Sequence, residues 1–175
     1  MPVSSRDAQR RREILDAAQT CFLRFGYGKT SLDDIAQTAK LSRPLLYRKF
    51  ANKEAIFAAL YDDVFQAKYR AATPIAASRA SKAVRLTRMC EVVCIEPYAL
   101  IMRAPMADEF WAACERVIPE VLEAHETKWR ALLREVLPRA SADVFALALE
   151  GLWIDAPSVA VLRARIRILI QQFVR

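Results

Sequence analysis

An all-α fold of about nine helices is what this 175-residue sequence predicts. Three observations carry the prediction. Apolar residues recur at helical spacing along most of the chain. No stretch shows the strict alternation of a half-buried strand. Glycine occurs at positions 26, 28 and 151 alone, while eight prolines punctuate the helical segments. The length leaves room for a small head and a larger body, not for two independent enzymes.

The first helix is expected over residues 7–25, with Ile14, Leu15, Ala18, Cys21, Phe22 and Phe25 on its core face. Gly26-Tyr27-Gly28 ends it. Thr30 is the expected cap of a second helix, with Asp33 completing a capping box. Leu32, Ile35, Ala36 and Ala39 form its buried face. Lys40-Leu41-Ser42 makes a tight turn, and Ser42 caps a third helix whose first turn tolerates Pro44. Leu46 and Phe50 point inward, leaving Arg43, Leu45, Tyr47, Arg48 and Lys49 outside. Two short helices across a tight turn, the second basic, are the layout of a helix-turn-helix, whose second helix enters the DNA major groove.

Asn52 caps a long fourth helix carrying Phe57, Tyr61, Phe65 and Tyr69 at four-residue spacing, with Thr73-Pro74 as its expected end. A loop is expected over 76–81, a fifth helix over 82–95 that stops before Pro97, and a short sixth to about Arg103. A seventh spans 107–137 with a kink at Pro119. Ser141 is expected to cap an eighth, ending near Ile154, and Asp155 and Pro157 open a ninth over 157–174. The last two helices are apolar around much of their circumference, so they require cover on more than one side, which a partner subunit supplies. Phe145, Leu149, Leu152, Leu162, Ile166, Leu169 and Phe173 are the expected interface residues.

Charge is distributed unevenly. Residues 1–53 carry a net +6 and residues 54–175 a net +1. A cationic face supplies the sequence-independent part of DNA affinity. Arg6 and Arg10-Arg11-Arg12 form a basic arm suited to phosphates or a flanking minor groove. No apolar run approaches the length of a membrane span, and no leader-like segment opens the chain. Four scattered cysteines suit a reducing, cytoplasmic setting.

Residues 8–60 resemble the TetR family of bacterial transcriptional regulators. The resemblance rests on Ile14-Leu15-Asp16-Ala17-Ala18, Phe22 and Phe25-Gly26-Tyr27. It continues through Thr30-Ser31-Leu32-Asp33-Asp34-Ile35-Ala36, Ala39 and Leu41-Ser42, then Leu46-Tyr47, Phe50 and Asn52-Lys53-Glu54. Lys40 stands where the family usually has glycine, and Pro44 where it usually has a small residue; a proline ring there can pack on a thymine methyl. The resemblance implies a DNA-binding domain over 1–52 and an effector-binding, dimerising domain over 53–175. It implies Ser42, Tyr47, Lys49 and Lys53 on phosphates, Thr30 at the entrance to the motif, and Arg43 and Arg48 at base edges. It also implies dimerisation through the last two helices as a four-helix bundle.

The body offers little chemistry. No phosphate loop, catalytic carboxylate pair or nucleophile elbow occurs, so no enzyme and no cofactor are expected. His125 lies at helical spacing from Val121, Leu122, Trp129 and Leu132, as either a core residue or the polar contact of a cavity. Tyr61, Phe65, Met102, Phe110, His125 and Trp129 are the candidate lining of an effector pocket for a largely apolar or aromatic molecule. The expected function is a homodimeric repressor released from a palindromic operator by such a ligand. The alternatives are a DNA-binding regulator with no effector, or a thiol- or metal-responsive one using Cys90, Cys94 and His125.

Overall fold

The computed structural model describes residues 5–174; the outermost positions of the two expected domains, 1–4 and 175, lie outside them. The helices are α1 (Ser5–Phe25), α2 (Leu32–Thr38), α3 (Arg43–Lys49), α4 (Lys53–Ala76), α5 (Lys82–Cys90), α6 (Glu96–Ile101), α7 (Ala107–Val117), α8 (Pro119–Leu133), α9 (Arg139–Gly151) and α10 (Val159–Phe173). A π-helical turn, Glu91–Ile95, joins α5 to α6 without a break, so the described residues form nine helical rods and no strand.

The chain divides into two compact units. The head comprises residues up to Val64 together with Ile101–Leu122, and the body comprises Phe65–Leu100 with Glu123 onward. The boundary therefore differs from a cut after residue 52. The reason is burial: Ile56, Phe57 and Leu60 of α4, and Phe110, Ala113 and Cys114 of α7, belong to the same core as α1 and α2. Phe22 and Phe110 each meet the Phe57 ring edge-on, at 5.1 and 5.3 Å between centroids. Such pairs add about 0.5–1.5 kcal/mol each beyond their buried area. Phe25 leaves the core face expected for it and is 46% exposed. α1 ends at this residue, Gly26 turns the chain at φ 86°, and the Arg24 guanidinium covers the Phe25 ring.

In the body, α5, the π turn, α9 and α10 bury Leu86, Met89, Cys90, Phe145, Leu149, Leu162, Ile166 and Ile170. Phe145 meets Phe173 edge-on at 5.2 Å. Pro97 does not stop the helix as expected. A proline inside an α-helix lacks an N–H and collides with the carbonyl four residues back. Here it follows a wide turn in which the Glu96 N–H bonds Glu91 O, so the rod continues. Pro74 likewise sits in the last turn of α4, which runs on to Ala76. At Pro119 the expected kink is a full break, because Ile118 leaves helical geometry and Pro119 starts α8. The expected caps near the C-terminus shift as well. Ser141 lies inside α9, and Ser158 rather than Asp155 caps α10, its hydroxyl accepting from the Val161 N–H. Asp155 instead forms a two-point ion pair with Arg165, at 2.5 and 2.7 Å.

Candidate nucleic-acid interface

The turn between α1 and α2 is held from inside. Gly26 adopts φ 86°, and a side chain there would meet Glu109 Oε2 at 2.9 Å. The Glu109 carboxylate accepts hydrogen bonds from the backbone N–H groups of Tyr27 and Gly28, at 2.5 and 2.8 Å. The Thr30 hydroxyl donates to Gly26 O at 2.7 Å and is buried. Thr30 is therefore not the cap of α2, and its hydroxyl is directed into the turn itself. The cap is Ser31, one residue on, in a reciprocal box with Asp34. These bonds from the Ser31 hydroxyl and backbone hold the Asp34 carboxyl below its ordinary value.

The α2–α3 turn closes as a Schellman motif. The Leu41 N–H bonds Ala36 O, and the Lys40 N–H bonds Gln37 O. Lys40 takes the left-handed position, φ 55°, where lysine costs about 1 kcal/mol relative to glycine. This turn presents α3 with Ser42, Arg43, Pro44, Tyr47 and Arg48 exposed. The Ser42 hydroxyl makes no capping bond, contrary to expectation, so the capping role falls to its carbonyl, which accepts from Leu45 and Leu46. Arg43 pairs with Asp33 at 2.7 Å across the motif.

Three expected contacts are committed elsewhere. Leu45 is buried, because α3 is only seven residues long and turns both Leu45 and Leu46 inward. Lys53 faces the head interior. Its Nζ donates to Tyr27 O at 2.8 Å and Thr30 O at 2.9 Å, and lies 4.3 Å from the Tyr27 ring centroid. Lys49 is ion-paired with Asp7 on α1 and half-buried. Tyr27 completes the arrangement by donating its hydroxyl to Glu54 at 2.9 Å, and burial pushes its phenol above the usual range. Glu109, Asp7 and the Asp33–Arg43 pair were not identified from sequence, since each acts through a partner on another helix.

The six candidate effector residues are divided between the two units. Tyr61, Met102 and Phe110 belong to the head core, whereas Phe65, His125 and Trp129 belong to the body. His125 is buried between Phe65 at 5.3 Å and Tyr69 at 5.6 Å, and the Tyr69 hydroxyl donates to its carbonyl. A separate cleft of about 70 Å³ lies along α5, the π turn and α10, lined by Cys90, Ile95, Ile166 and Ile170. The Arg163–Glu91 pair flanks it with bonds of 3.0 and 2.6 Å.

Cys90 and Cys94 share a hydrogen bond, and this with burial raises the Cys90 thiol well above its ordinary value. His125 does not join them: no group of three His, Cys, Asp or Glu residues suited to a metal occurs among the described residues. Burial pushes the Cys114 thiol up to about 12.

The expected interface residues on α9 and α10 are mostly used within the subunit. Phe145, Leu149, Leu162 and Ile166 are at most 4% exposed, while Leu152, Leu169 and Phe173 are half-buried. Their helical stripe packs inward, so the outward apolar surface falls on Val144, Leu147, Val161 and Ile168, which are 44–60% exposed. No described helix is long and apolar enough to cross a membrane.

Residues 14–60, which span α1 from Ile14, both motif helices and the start of α4, match the model of the bacterial regulatory proteins of the tetR family. Over these residues the chain is of the TetR-family type. The HTH-type transcriptional repressor Rv1474c of Mycobacterium tuberculosis is 42% identical over 62 residues, 34% of this chain and 33% of its own. The matched segment thus spans about a third of that relative's length. Two solved structures share the fold along nearly the whole chain. SCO4454 of Streptomyces coelicolor, a TetR-family transcriptional regulator, has a TM-score of 0.71 at 15% identity, covering 96% of this chain and 95% of its own. SmeT of Stenotrophomonas maltophilia, in complex with triclosan, gives 0.70 at 19% identity, covering 95% and 92%. These likenesses extend the shared fold beyond the matched residues 14–60.

Proposed function

We propose that this chain is a homodimeric transcriptional repressor that binds double-stranded operator DNA through its TetR-family head and releases it when a small, largely apolar or aromatic ligand binds the body. The observation that carries the reading is α3: a short basic helix, presented by a Schellman turn, with Ser42, Arg43, Pro44, Tyr47 and Arg48 exposed. It lies within residues 1–53, which carry a net +6 of the chain's +7. Ser42 and Tyr47 position the protein on phosphates, Arg43 and Arg48 reach base edges, and Pro44 packs on an adjacent base. Thr30, Leu45 and Lys53 serve the interface from inside, by fixing α3 and the turn that precedes it.

The second copy covers Val144, Leu147, Val161 and Ile168, and this interface sets two recognition helices against an approximately palindromic site. The triclosan complex of SmeT supports an aromatic ligand for this fold, and Phe65, Tyr69, His125 and Trp129 form the aromatic set assigned to it here. The test is selection of bound duplexes from a random pool, followed by ligand titration. Enrichment of a palindrome with half-sites about one helical turn apart, or somewhat more, is expected. Ligand and operator should weaken each other by the same factor. Binding without sequence enrichment overturns the operator reading, and ligand binding indifferent to operator overturns the release mechanism.

A further inference from the structure

We propose that Asp33 determines sequence specificity by positioning Arg43 to read one guanine in each half-site; this rests on the DNA-binding function proposed above. Asp33 lies in the first turn of α2, and Arg43 is the first residue of α3. The Asp33 carboxylate oxygen sits 2.7 Å from Arg43 Nε. It therefore meets the stem side of the guanidinium and leaves both terminal amino groups without a protein partner among the described residues. Those two groups form the planar fork that matches guanine O6 and N7 in the major groove. The Arg43 side chain is 68% exposed, so the fork is accessible.

Asp33 suits the positive N-terminal end of α2, a role that does not require its pairing with Arg43. Asp34, not Asp33, completes the capping box. The turn between the helices is closed by backbone bonds alone. A carboxylate on a DNA-facing surface opposes phosphate and lowers general affinity. Its gain is orientational: an exposed arginine has many rotamers, and one ion pair bridging the two helices narrows them before the base arrives. Asp33 is thus a positioning residue, and guanine is the base it selects.

The test compares the unmodified chain with Asp33→Asn, Arg43→Lys and the double variant. Each is used in pool selection and in titrations against the selected site and an unrelated duplex. The unmodified chain is expected to select guanine at one position per half-site. Asp33→Asn should lower that preference about 10-fold, while affinity for the unrelated duplex stays level or rises and the melting temperature holds. Arg43→Lys should lose the same preference, and the double variant should lose no more than Arg43→Lys alone. Asp33→Glu, which keeps the charge, should restore part of it. If Asp33→Asn tightens both duplexes equally with the guanine preference intact, Asp33 is only a repulsive charge and the proposal fails. A selected site with no Arg43-dependent guanine also overturns it, leaving the DNA-binding reading standing. Failure of the unmodified chain to select any site overturns that reading itself.

Discussion

Removing the Glu109 carboxylate should destabilise the head more than an ordinary surface substitution does. Tyr27 and Gly28 lie just past the end of α1, and their N–H groups donate to one Glu109 oxygen each. Hydrogen bonds to a charged acceptor contribute about 1.5–3 kcal/mol when sheltered, and these are partly exposed. Glu109→Ala should therefore cost roughly 2–4 kcal/mol in total. Glu109→Gln offers a sharper comparison. Glutamine supplies one acceptor oxygen and sets an N–H₂ donor against the other backbone donor. It should lose nearly as much as alanine rather than half. For a chain of this size the loss corresponds to a fall of roughly 5–15 °C in melting temperature. Urea titration gives the free energies, and amide exchange at Tyr27 and Gly28 locates the change. A cost below about 0.5 kcal/mol for Glu109→Ala, or full stability in Glu109→Gln, would refute the clamp.

Lys53→Met removes two bonds to buried carbonyls and a cation–π contact. It should cost roughly 2–3 kcal/mol of head stability while the salt dependence of DNA binding keeps its slope; a slope reduced by about one places Lys53 on a phosphate instead. Val144→Asp combined with Ile168→Asp should give a folded monomer by light scattering, whereas Leu162→Asp, at 0% exposure, should fail to fold. A dimer that survives the paired surface change removes this face from the interface. The Asp34 carboxyl is held below its ordinary 3.8 in the folded state. Its stabilising contribution is thus complete above that value and is lost as pH falls through the lower, folded one. Asp34→Asn should make the acid limb of stability between pH 5 and 2 shallower, and an unchanged limb contradicts the assignment.

Legibility in the sequence followed the range of the interactions. Helical class, the motif and its basic outer face depend on spacing within a few residues, and these were readable. The α2 cap was missed by one position because Thr30 and Ser31 are equivalent in local chemistry. Only the burial of Thr30 beneath the α1–α2 turn separates them. Leu45 was placed outward by helical phase, but a two-turn helix turns more than one apolar side chain inward. Lys53 is expected as a phosphate ligand by family resemblance, and its carbonyl partners at Tyr27 and Thr30, more than twenty residues away, leave no local signal. Glu109 left no local signal, since its partners are 81 and 82 positions upstream. On α9 and α10 the apolar excess was legible, but its division between subunit interior and outer surface was not. Both faces carry the same residue types, and only the packed neighbours tell them apart.

The π turn at Glu91–Ile95 makes its rod sensitive to phase. A wide turn holds one more residue than an α-helical turn in the same rod. Each residue of an α-helix advances the side-chain direction by about 100°. Tyr98, downstream of the turn, is aimed so that its hydroxyl donates to Pro157 O at 2.7 Å. Deleting a single residue between Glu91 and Ile95 would return the segment to α-helical spacing and set the Pro97 ring against the carbonyl four residues before it. It would also swing Tyr98, Pro97 and Ile101 about a quarter-turn around the rod axis. In this segment a deletion acts as a rotation, so chain length there encodes an angle.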